Sequence, residues 1–198
     1  MKKGINHTIL LSLSMFLLGC AGEKTIDRDS DNDQNIENDT ISGLTDFRGD
    51  SFSGEIVDYY ENGQLKSKTT YKDELRNGVS EDYYENGQLN SKRNYKDGRL
   101  DGVYEGHHEN GQLYVKLNYK DGERHGLLEY YDENGQLKYK ENFKDGERHG
   151  LVEYYDENGQ LKNKSTYKDG RLHGLLEYYD ENGQLKSTIT FKNGIKIK

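Results

Sequence analysis

The sequence has little of the material that fills a compact globular core. Its 198 residues include no tryptophan, no proline and one cysteine, and hydrophobic residues make up 31% of the chain, against roughly 45–50% in average globular proteins. A single round core would be hard to fill at that level. One cysteine also excludes an intrachain disulfide. The net charge of −8 argues against a nucleic-acid partner, because surfaces that bind nucleic acid are basic.

Tyrosine and glycine are abundant instead, with 17 and 23 copies. Tyrosine is the main apolar material, and each ring can bury about 150–250 Å². Together these features favour a thin, extended sheet over a compact globule.

A 24-residue period organises most of the chain. The tetrapeptide Asn-Gly-Gln-Leu recurs without insertion, its glycines being Gly63, Gly87, Gly111, Gly135, Gly159 and Gly183. A fixed period of this length indicates a repeat architecture. The predicted repeat domain, 41–198, has a half-unit at 41–53 and six units at 54–77, 78–101, 102–125, 126–149, 150–173 and 174–197.

Each unit has the pattern of a β-hairpin. In the fourth unit two short runs rich in tyrosine, leucine and phenylalanine flank Asn134-Gly135, and Asp145-Gly146 forms a second turn into the next unit. Glycine recurs too often for three uninterrupted helical turns. The sequence therefore predicts an all-β fold, an elongated single antiparallel sheet of tandem hairpins with about 12 strands.

The first turn leaves two pairings open. A two-residue type I′ turn sets Glu129 across from Lys140 and Tyr131 across from Lys138. A three-residue loop with Gly135 in a G1 bulge shifts the pairing by one residue.

The shifted pairing places Tyr131 opposite Leu137. It puts Leu127, Tyr131, Leu137 and Phe143 on one face. The repeat positions that stay apolar from unit to unit then lie together on that face. We prefer it for that reason, although the unshifted pairing explains Glu129 better.

The N-terminus reads as an export signal. Lys2 and Lys3 precede an apolar run over 9–18 that is too short for a comfortable membrane span. The tetrapeptide Leu-Leu-Gly-Cys, which begins with the last two residues of this run, resembles a bacterial lipobox ending at Cys20. We expect a signal peptide at 1–19, a lipid on Cys20, and an exported bacterial lipoprotein in the cell envelope, at the outer membrane or the cell surface. Residues 20–40 are polar and acidic, which predicts a disordered tether.

No catalytic, metal or cofactor site is predicted. A repeat places identical groups in rows, whereas catalysis needs different groups converging on one point. His125, His149 and His173 occupy one turn position in successive units, with backbones about 10 Å apart. Zinc holds its nitrogen ligands at about 2.0–2.1 Å, so we interpret this row as turn residues that bond the backbone.

The predicted function is binding of a protein by a non-enzymatic scaffold, because tyrosine is enriched at protein interfaces. The candidate surface combines a column of tyrosines with lysines of the second strands: Tyr59, Tyr83, Tyr131, Tyr155, Tyr179, Lys138 and Lys162. The lysines also have a simpler interpretation, as solubilising residues that protect sheet edges.

The repeat unit resembles MORN-type repeats, and in particular the bacterial variant grouped with YwqK-like antitoxins. The residues that carry the resemblance are Tyr130, Tyr131, Asn134, Gly135, Leu137, Phe143, Lys144, Gly146 and Gly150. The resemblance implies a protein-binding or membrane-proximal scaffold, or neutralisation of a toxin. A cell-wall glycan-binding module is a further alternative.

Overall fold

The computed structural model describes residues 51–197, which form strands and turns only. The predicted signal peptide, Cys20, the tether and most of the half-unit lie outside the described residues. The strands are β1 (Gly54–Tyr59), β2 (Leu65–Lys72), β3 (Leu75–Tyr83), β4 (Leu89–Lys96), β5 (Arg99–Leu100), β6 (Gly102–His107), β7 (Leu113–Lys120), β8 (Glu123–Arg124), β9 (Gly126–Tyr131), β10 (Leu137–Lys144), β11 (Glu147–Tyr155), β12 (Leu161–Lys168), β13 (Arg171–Tyr179), β14 (Leu185–Lys192) and β15 (Ile195–Lys196).

All of these strands belong to one antiparallel sheet whose order follows the chain. The path runs β1-β2-β3-β4-β6-β7-β9-β10-β11-β12-β13-β14-β15, with β5 paired to β4 and β8 paired to β7. The long strands number two per unit, and the three two-residue strands extend second turns. The predicted single sheet of tandem hairpins is confirmed.

The first turn of each unit is a three-residue loop. In the fourth unit the amide of Asp132 donates to the Gln136 carbonyl at 2.9 Å, and the amide of Gly135 donates to the Asp132 carbonyl at 2.9 Å. Gly135 has a φ of 78°, the left-handed conformation that a G1 bulge requires. This is the preferred one of the two loops that the sequence allows, and Tyr131 pairs with Leu137 as that loop predicts.

A second irregularity follows one residue later and changes the faces. The register shifts between Leu137 and Tyr139, so that Lys140 pairs with Glu129 beyond it. Both predicted pairings therefore occur in one hairpin: the shifted pairing lies next to the turn, and the unshifted pairing lies beyond the irregularity. Because an extra residue inverts the alternation of side chains, the prediction that Phe143 shares a face with Leu127 and Tyr131 is wrong.

The two faces of the sheet differ in burial. Phe143 lies on the face that also carries Leu128, and both are 8–9% exposed. We call this the core face; its buried apolar residues are Phe52, Tyr71, Tyr95, Leu100, Val115, Leu117, Tyr119, Leu128, Phe143 and Val152. The opposite face carries Leu127, Glu129 and Tyr131 and is called the ladder face.

The second turn of each unit is a two-residue type I′ turn. Asp145 and Gly146 have φ of 50° and 79°, and Lys144 pairs with Glu147 around them. Positive φ at both positions is the signature of this turn, whose twist suits a hairpin. The amide of Gly146 also donates to the Arg124 carbonyl of the previous unit at 3.0 Å. The second turns thus stack on one another along the sheet.

The first unit departs from this pattern, since Glu74 occupies the glycine position with a φ of 65°. A side chain in this conformation costs about 1–2 kcal/mol, partly offset by the larger entropy that glycine loses on folding. We expect Glu74→Gly to raise the free energy of unfolding by about 1 kcal/mol, measured by urea denaturation. The matched control is Gly98→Glu in the second unit, which should lower it by a similar amount; a destabilised Glu74→Gly would contradict the strain.

Candidate functional site

A row of alternating charges crosses the ladder face. Every neighbour pair in it is a direct cross-strand pair, and the row reads Val57, Lys68, Glu81, Lys92, Glu105, Lys116, Glu129, Lys140, Glu153, Lys164, Glu177 and Thr188. Five lysines and five glutamates alternate between an uncharged residue at each end. We call this row the charge ladder. Opposite charges placed directly across strands stabilise a sheet by about 0.2–1 kcal/mol per pair.

The predicted tyrosine column lies beside the charge ladder and bonds to it. Glu153 accepts the hydroxyl of Tyr155 at 3.2 Å and lies 2.7 Å from Lys140 Nζ. The same Nζ lies 5.7 Å from the centroid of the Tyr155 ring. Glu177, Tyr179 and Lys164 repeat this arrangement.

The titration of these groups reflects the same bonding. The hydrogen bond to Glu153 raises the pKa of Lys140, and the hydrogen bond from Lys92 lowers the pKa of Glu81. Charged groups already paired within the sheet gain less from a partner, because a partner would have to replace bonds that exist. The tyrosines of this column are half-buried at Tyr83, Tyr131, Tyr155 and Tyr179 and exposed at Tyr59.

The two lysines predicted for the candidate surface have different positions. Lys138 is the extra residue at the irregularity in β10, and its Nζ lies 3.1 Å from Asp132 Oδ2 and 3.3 Å from the Asp156 carbonyl. It therefore ties the first turns of two neighbouring units together. Lys162, the equivalent residue of the fifth unit, is exposed.

A second row crosses the core face next to the first turns. Its direct cross-strand neighbours are Asp58, Ser67, Asp82, Ser91, Gly106, Val115, Tyr130, Tyr139, Tyr154, Asn163, Tyr178 and Ser187. The N-terminal part is polar and the C-terminal part is aromatic. We call Tyr130, Tyr139, Tyr154 and Tyr178 the tyrosine row. Three of its members are large exposed apolar groups, with Tyr130 at 43%, Tyr154 at 40% and Tyr178 at 38% exposure.

The third unit forms the junction between the two parts, and its sequence departs from the repeat there. Gly106 replaces the aspartate or tyrosine of other units, and Tyr114 replaces the lysine found in four of them. A Cβ on residue 106 would lie 2.5 Å from a ring carbon of Tyr114 and 2.8 Å from Val115 Cγ1. The glycine is therefore what allows the Tyr114 ring to lie over this strand.

A groove opens on the core face at this junction. Its volume is about 460 Å³, and it is lined by Arg93, Leu100, Tyr104, Tyr114, Val115, Leu117, Tyr119, Arg124, Leu128 and Tyr130. The hydroxyls of Tyr104 and Tyr114 lie 3.4 Å apart, and the Tyr114 and Tyr130 rings meet edge-on at 5.7 Å. Burial raises the pKa of Tyr114. The groove therefore offers neutral phenols and apolar carbon, and it continues into the tyrosine row.

Two arginines line the groove, whereas none of its lining residues is acidic. The Arg93 guanidinium lies 5.4 Å from the Tyr104 ring centroid and is hydrogen-bonded to Asp82. Arg124 lies 5.4 Å from the Phe143 ring centroid. The groove is thus aromatic and lined by two guanidinium groups, of which one is paired with Asp82 and the other lies over the Phe143 ring.

The sequence interpretation did not find this groove. It treated the tyrosines of successive units as equivalent and made no prediction from the irregular third unit. The available signal was the simultaneous change at Tyr104, Gly106 and Tyr114 within one unit. The sequence does not show that these three residues lie close together, because their proximity depends on the strand register.

The histidine row does not form a cluster. His125 and His149 each lie 3.4 Å from an aspartate Oδ1 of the following second turn, and His173 bonds Asn193 Oδ1 at 3.1 Å. The ring nitrogens thus lie near turn side chains, where the sequence interpretation expected backbone groups. Among residues 51–197 no three histidine, cysteine or acidic side chains are placed to hold a metal ion. The same residues contain no helix with the length and hydropathy to cross a membrane.

Fold and repeat length together define a tandem β-hairpin repeat protein. Six successive segments match the family described as "MORN repeat variant", at residues 53–73, 76–97, 100–121, 124–145, 148–169 and 172–193. The chain belongs to this family.

Other comparisons are more distant. The crystal structure of TarM matches with 13% identity and a TM-score of 0.35, covering 55% of this chain and 21% of that one. A mutant of S. aureus TarM in complex with Fondaparinux, alpha-GlcNAc-glycerol and UDP matches with 10% identity and a TM-score of 0.33, covering 48% and 19%. The chain spans about a fifth of the length of these structures. Among curated proteins, none matches the chain.

Proposed function

We propose that this protein is a non-enzymatic scaffold that binds a protein partner in the groove of the third unit. The observation that carries the proposal is the break in the repeat. Gly106 makes room for Tyr114, and Tyr104, Tyr114 and Tyr130 then line one depression. Tyrosine and arginine are the residues that dominate binding energy at protein interfaces. On the ladder face, by contrast, the polar groups bond to one another.

The N-terminal sequence supplies the cellular setting of this proposal. A lipid on Cys20 would hold the chain at a membrane of the bacterial envelope, and 21–40 would act as the tether. Two acyl signals are needed for stable anchoring, since each buried CH₂ contributes only about 0.8 kcal/mol. An envelope location also changes the YwqK-like antitoxin alternative, because a toxin bound here would have to be met outside the cytoplasm.

Site-specific photo-crosslinking in the native cells tests the proposal. Benzoylphenylalanine is placed in the full chain at Tyr130 in the groove, at Tyr131 on the ladder face, or at Leu127 as the exposed control on the same strand. We expect a discrete protein adduct from the Tyr130 position alone. Adducts from the Tyr131 position alone would assign binding to the ladder face and refute the groove. Absence of protein adducts at all three positions would refute the scaffold.

The adduct also identifies the partner and so tests the antitoxin alternative. Tryptic peptides of a secreted toxin would support an immunity role, whereas an envelope protein would support a scaffold role. A Cys20→Ser variant, in which the lipid cannot be attached, is expected to appear in the soluble fraction and to lose the adduct. Membrane attachment of this variant would refute the lipid anchor.

A further inference from the structure

We infer that the groove and the tyrosine row bind a proline-rich segment in the polyproline II conformation that carries acidic residues. This inference rests on the proposed function and specifies the partner of the same site. Exposed aromatic rings recur across the sheet at a regular spacing, and this spacing restricts the conformation of a linear ligand.

Exposed tyrosines recur on every second strand of the C-terminal units. Tyr130 lies on β9, Tyr154 on β11 and Tyr178 on β13, and their cross-strand neighbours Tyr139 and Asn163 occupy the strands between. Neighbouring strands are about 4.8 Å apart, so equivalent rings recur at about 9.6 Å. A linear ligand that crosses the strands must present one contact at each such interval.

Three regular conformations can be compared with that interval. A β-strand repeats the same face every two residues, at about 6.7 Å, and an α-helix repeats it most closely every seven residues, at about 10.5 Å. Polyproline II repeats it every three residues, at about 9.3 Å. From Tyr130 to Tyr178 the sheet spans about 19 Å. Two polyproline turns span about 19 Å and two helical heptads about 21 Å. Three strand repeats span about 20 Å, but their intermediate contacts, at about 6.7 and 13.4 Å, fall on either side of the middle ring, Tyr154.

Chemistry favours the same ligand. Aromatic-lined grooves bind polyproline II segments because the rings stack on proline and the ligand loses little conformational entropy. The backbone of such a segment has no internal hydrogen bonds, so its carbonyls can accept from phenol hydroxyls. The strands under the tyrosine row are paired on both sides, so a ligand cannot join them as an added β-strand there.

Charge complementarity fixes the second property of the ligand. Arg93 and Arg124 line the groove and no lining residue is acidic, although Arg93 already pairs with Asp82 beside the groove and the whole chain carries a net charge of −8. Acidic side chains on the ligand would meet guanidinium groups at the groove, while basic ones would be repelled there. A basic ligand would instead be drawn elsewhere on this acidic protein.

The test uses the full chain purified in detergent and fluorescein-labelled peptides of four triplets, measured by fluorescence anisotropy. The probe repeats Pro-Pro-Glu. One control, Gly-Gly-Glu, keeps the charge but has no preference for polyproline II, and another, Pro-Pro-Lys, keeps the conformation but reverses the charge. We expect each control to bind about tenfold more weakly than the probe. Equal binding of the probe and Gly-Gly-Glu would overturn the conformational part. Equal binding of Pro-Pro-Lys that Tyr154→Ala weakens as it weakens the probe would overturn the charge part.

Two variants on one strand locate the site. Tyr154 and Leu151 are 40% and 39% exposed but lie on opposite faces of β11. Tyr154→Ala is expected to weaken binding of the Pro-Pro-Glu probe about tenfold, whereas Leu151→Ala leaves it unchanged. The reverse order, or equal losses, would contradict binding at the tyrosine row.

Failure of this inference can be separated from failure of the proposed function. If the Tyr130 crosslink forms in cells while the Pro-Pro-Glu probe does not bind, the groove binds a protein of another conformation and only the polyproline inference falls. If neither occurs, both fall.

Discussion

Replacing Arg148 by leucine is expected to lower the free energy of unfolding by about 2–4 kcal/mol. Arg148 Nε lies 2.7 Å from Glu141 Oε2, and the glutamate side chain is only 4% exposed. On the core face Glu141 pairs with Leu128 on one side and Val152 on the other. Without the guanidinium its carboxylate has to be protonated or remain charged among apolar neighbours, and both outcomes cost free energy. The loss is smaller than the roughly 3–5 kcal/mol for a fully buried pair because the Arg148 side chain is 43% exposed.

The repeat supplies the matched control for this prediction. Two repeat positions, held by Glu141 and Arg148 in the fourth unit, are held by Ser165 and Leu172 in the fifth. The double variant Glu141→Ser/Arg148→Leu therefore copies a pair that this sheet already accommodates. We expect it to recover most of the stability lost in Arg148→Leu, measured by urea denaturation. If the double variant is as unstable as the single one, the loss stems from packing on the Tyr167 ring rather than from the buried carboxylate.

Arg124→Leu separates the two causes further. Arg124 stacks on Phe143 as Arg148 stacks on Tyr167, with ring distances of 5.4 and 5.5 Å. The residue that corresponds to Glu141 in the third unit is Leu117, which needs no counter-charge. Loss of a cation–π contact costs about 0.5–2 kcal/mol, less than an unpaired buried carboxylate costs, so Arg124→Leu should be the milder substitution.

The architecture could be predicted from sequence because its determinants are local. Asn134-Gly135 and Asp145-Gly146 adopt the positive φ values that hairpin turns demand, and the 24-residue period repeats them without insertion. In a tandem repeat each hairpin contacts only the hairpins next to it in the sequence, and these are copies of itself. The all-β class, the strand number and the single sheet follow from that.

The faces could not be predicted because they depend on one extra residue. Side chains alternate with a period of two, so the irregularity at Lys138 moves every later residue of β10 to the other face. Phe143 thereby reaches the core and Lys140 reaches the charge ladder. The pair Glu129–Lys140 was available from the unshifted register. Its continuation to Glu153 in the next unit requires the second register shift, between Glu141 and Phe143.

The groove is even harder to predict from the sequence than the faces of the sheet. It forms where side chains from several strands meet, and each departure from the repeat looks neutral when taken alone. In the sequence alone, Gly106 is only a missing side chain, and Tyr114 is only one of many tyrosines. The structure shows how the two depend on each other, since a Cβ on residue 106 would lie only 2.5 Å from a ring carbon of Tyr114.

That relation predicts strong coupling between Gly106 and Tyr114. We expect Gly106→Ala to lower the free energy of unfolding by about 1–3 kcal/mol, because the new methyl group meets the ring and Val115 Cγ1. Tyr114→Lys restores the residue that four other units carry, so the fold tolerates it at a smaller cost. In the double variant the ring no longer opposes the methyl group. The alanine should then cost less, with a coupling energy of about 1–3 kcal/mol, measured by denaturation of the four members of the cycle.

The same double variant separates the stability of the sheet from its binding. Gly106→Ala/Tyr114→Lys removes the Tyr114 ring from the groove while leaving Tyr130 and the tyrosine row in place. If the groove is the docking site, the variant should remain folded yet lose the crosslink at Tyr130, because truncating one central aromatic anchor can cost 2 kcal/mol or about thirtyfold in affinity. Tyr114→Lys alone should lose it as well, whereas Lys162→Ala, at the equivalent exposed position of the fifth unit, should retain it. An undiminished crosslink in the folded double variant would show that the gap left by Gly106 has no part in binding, and that the third unit differs from its neighbours for packing alone.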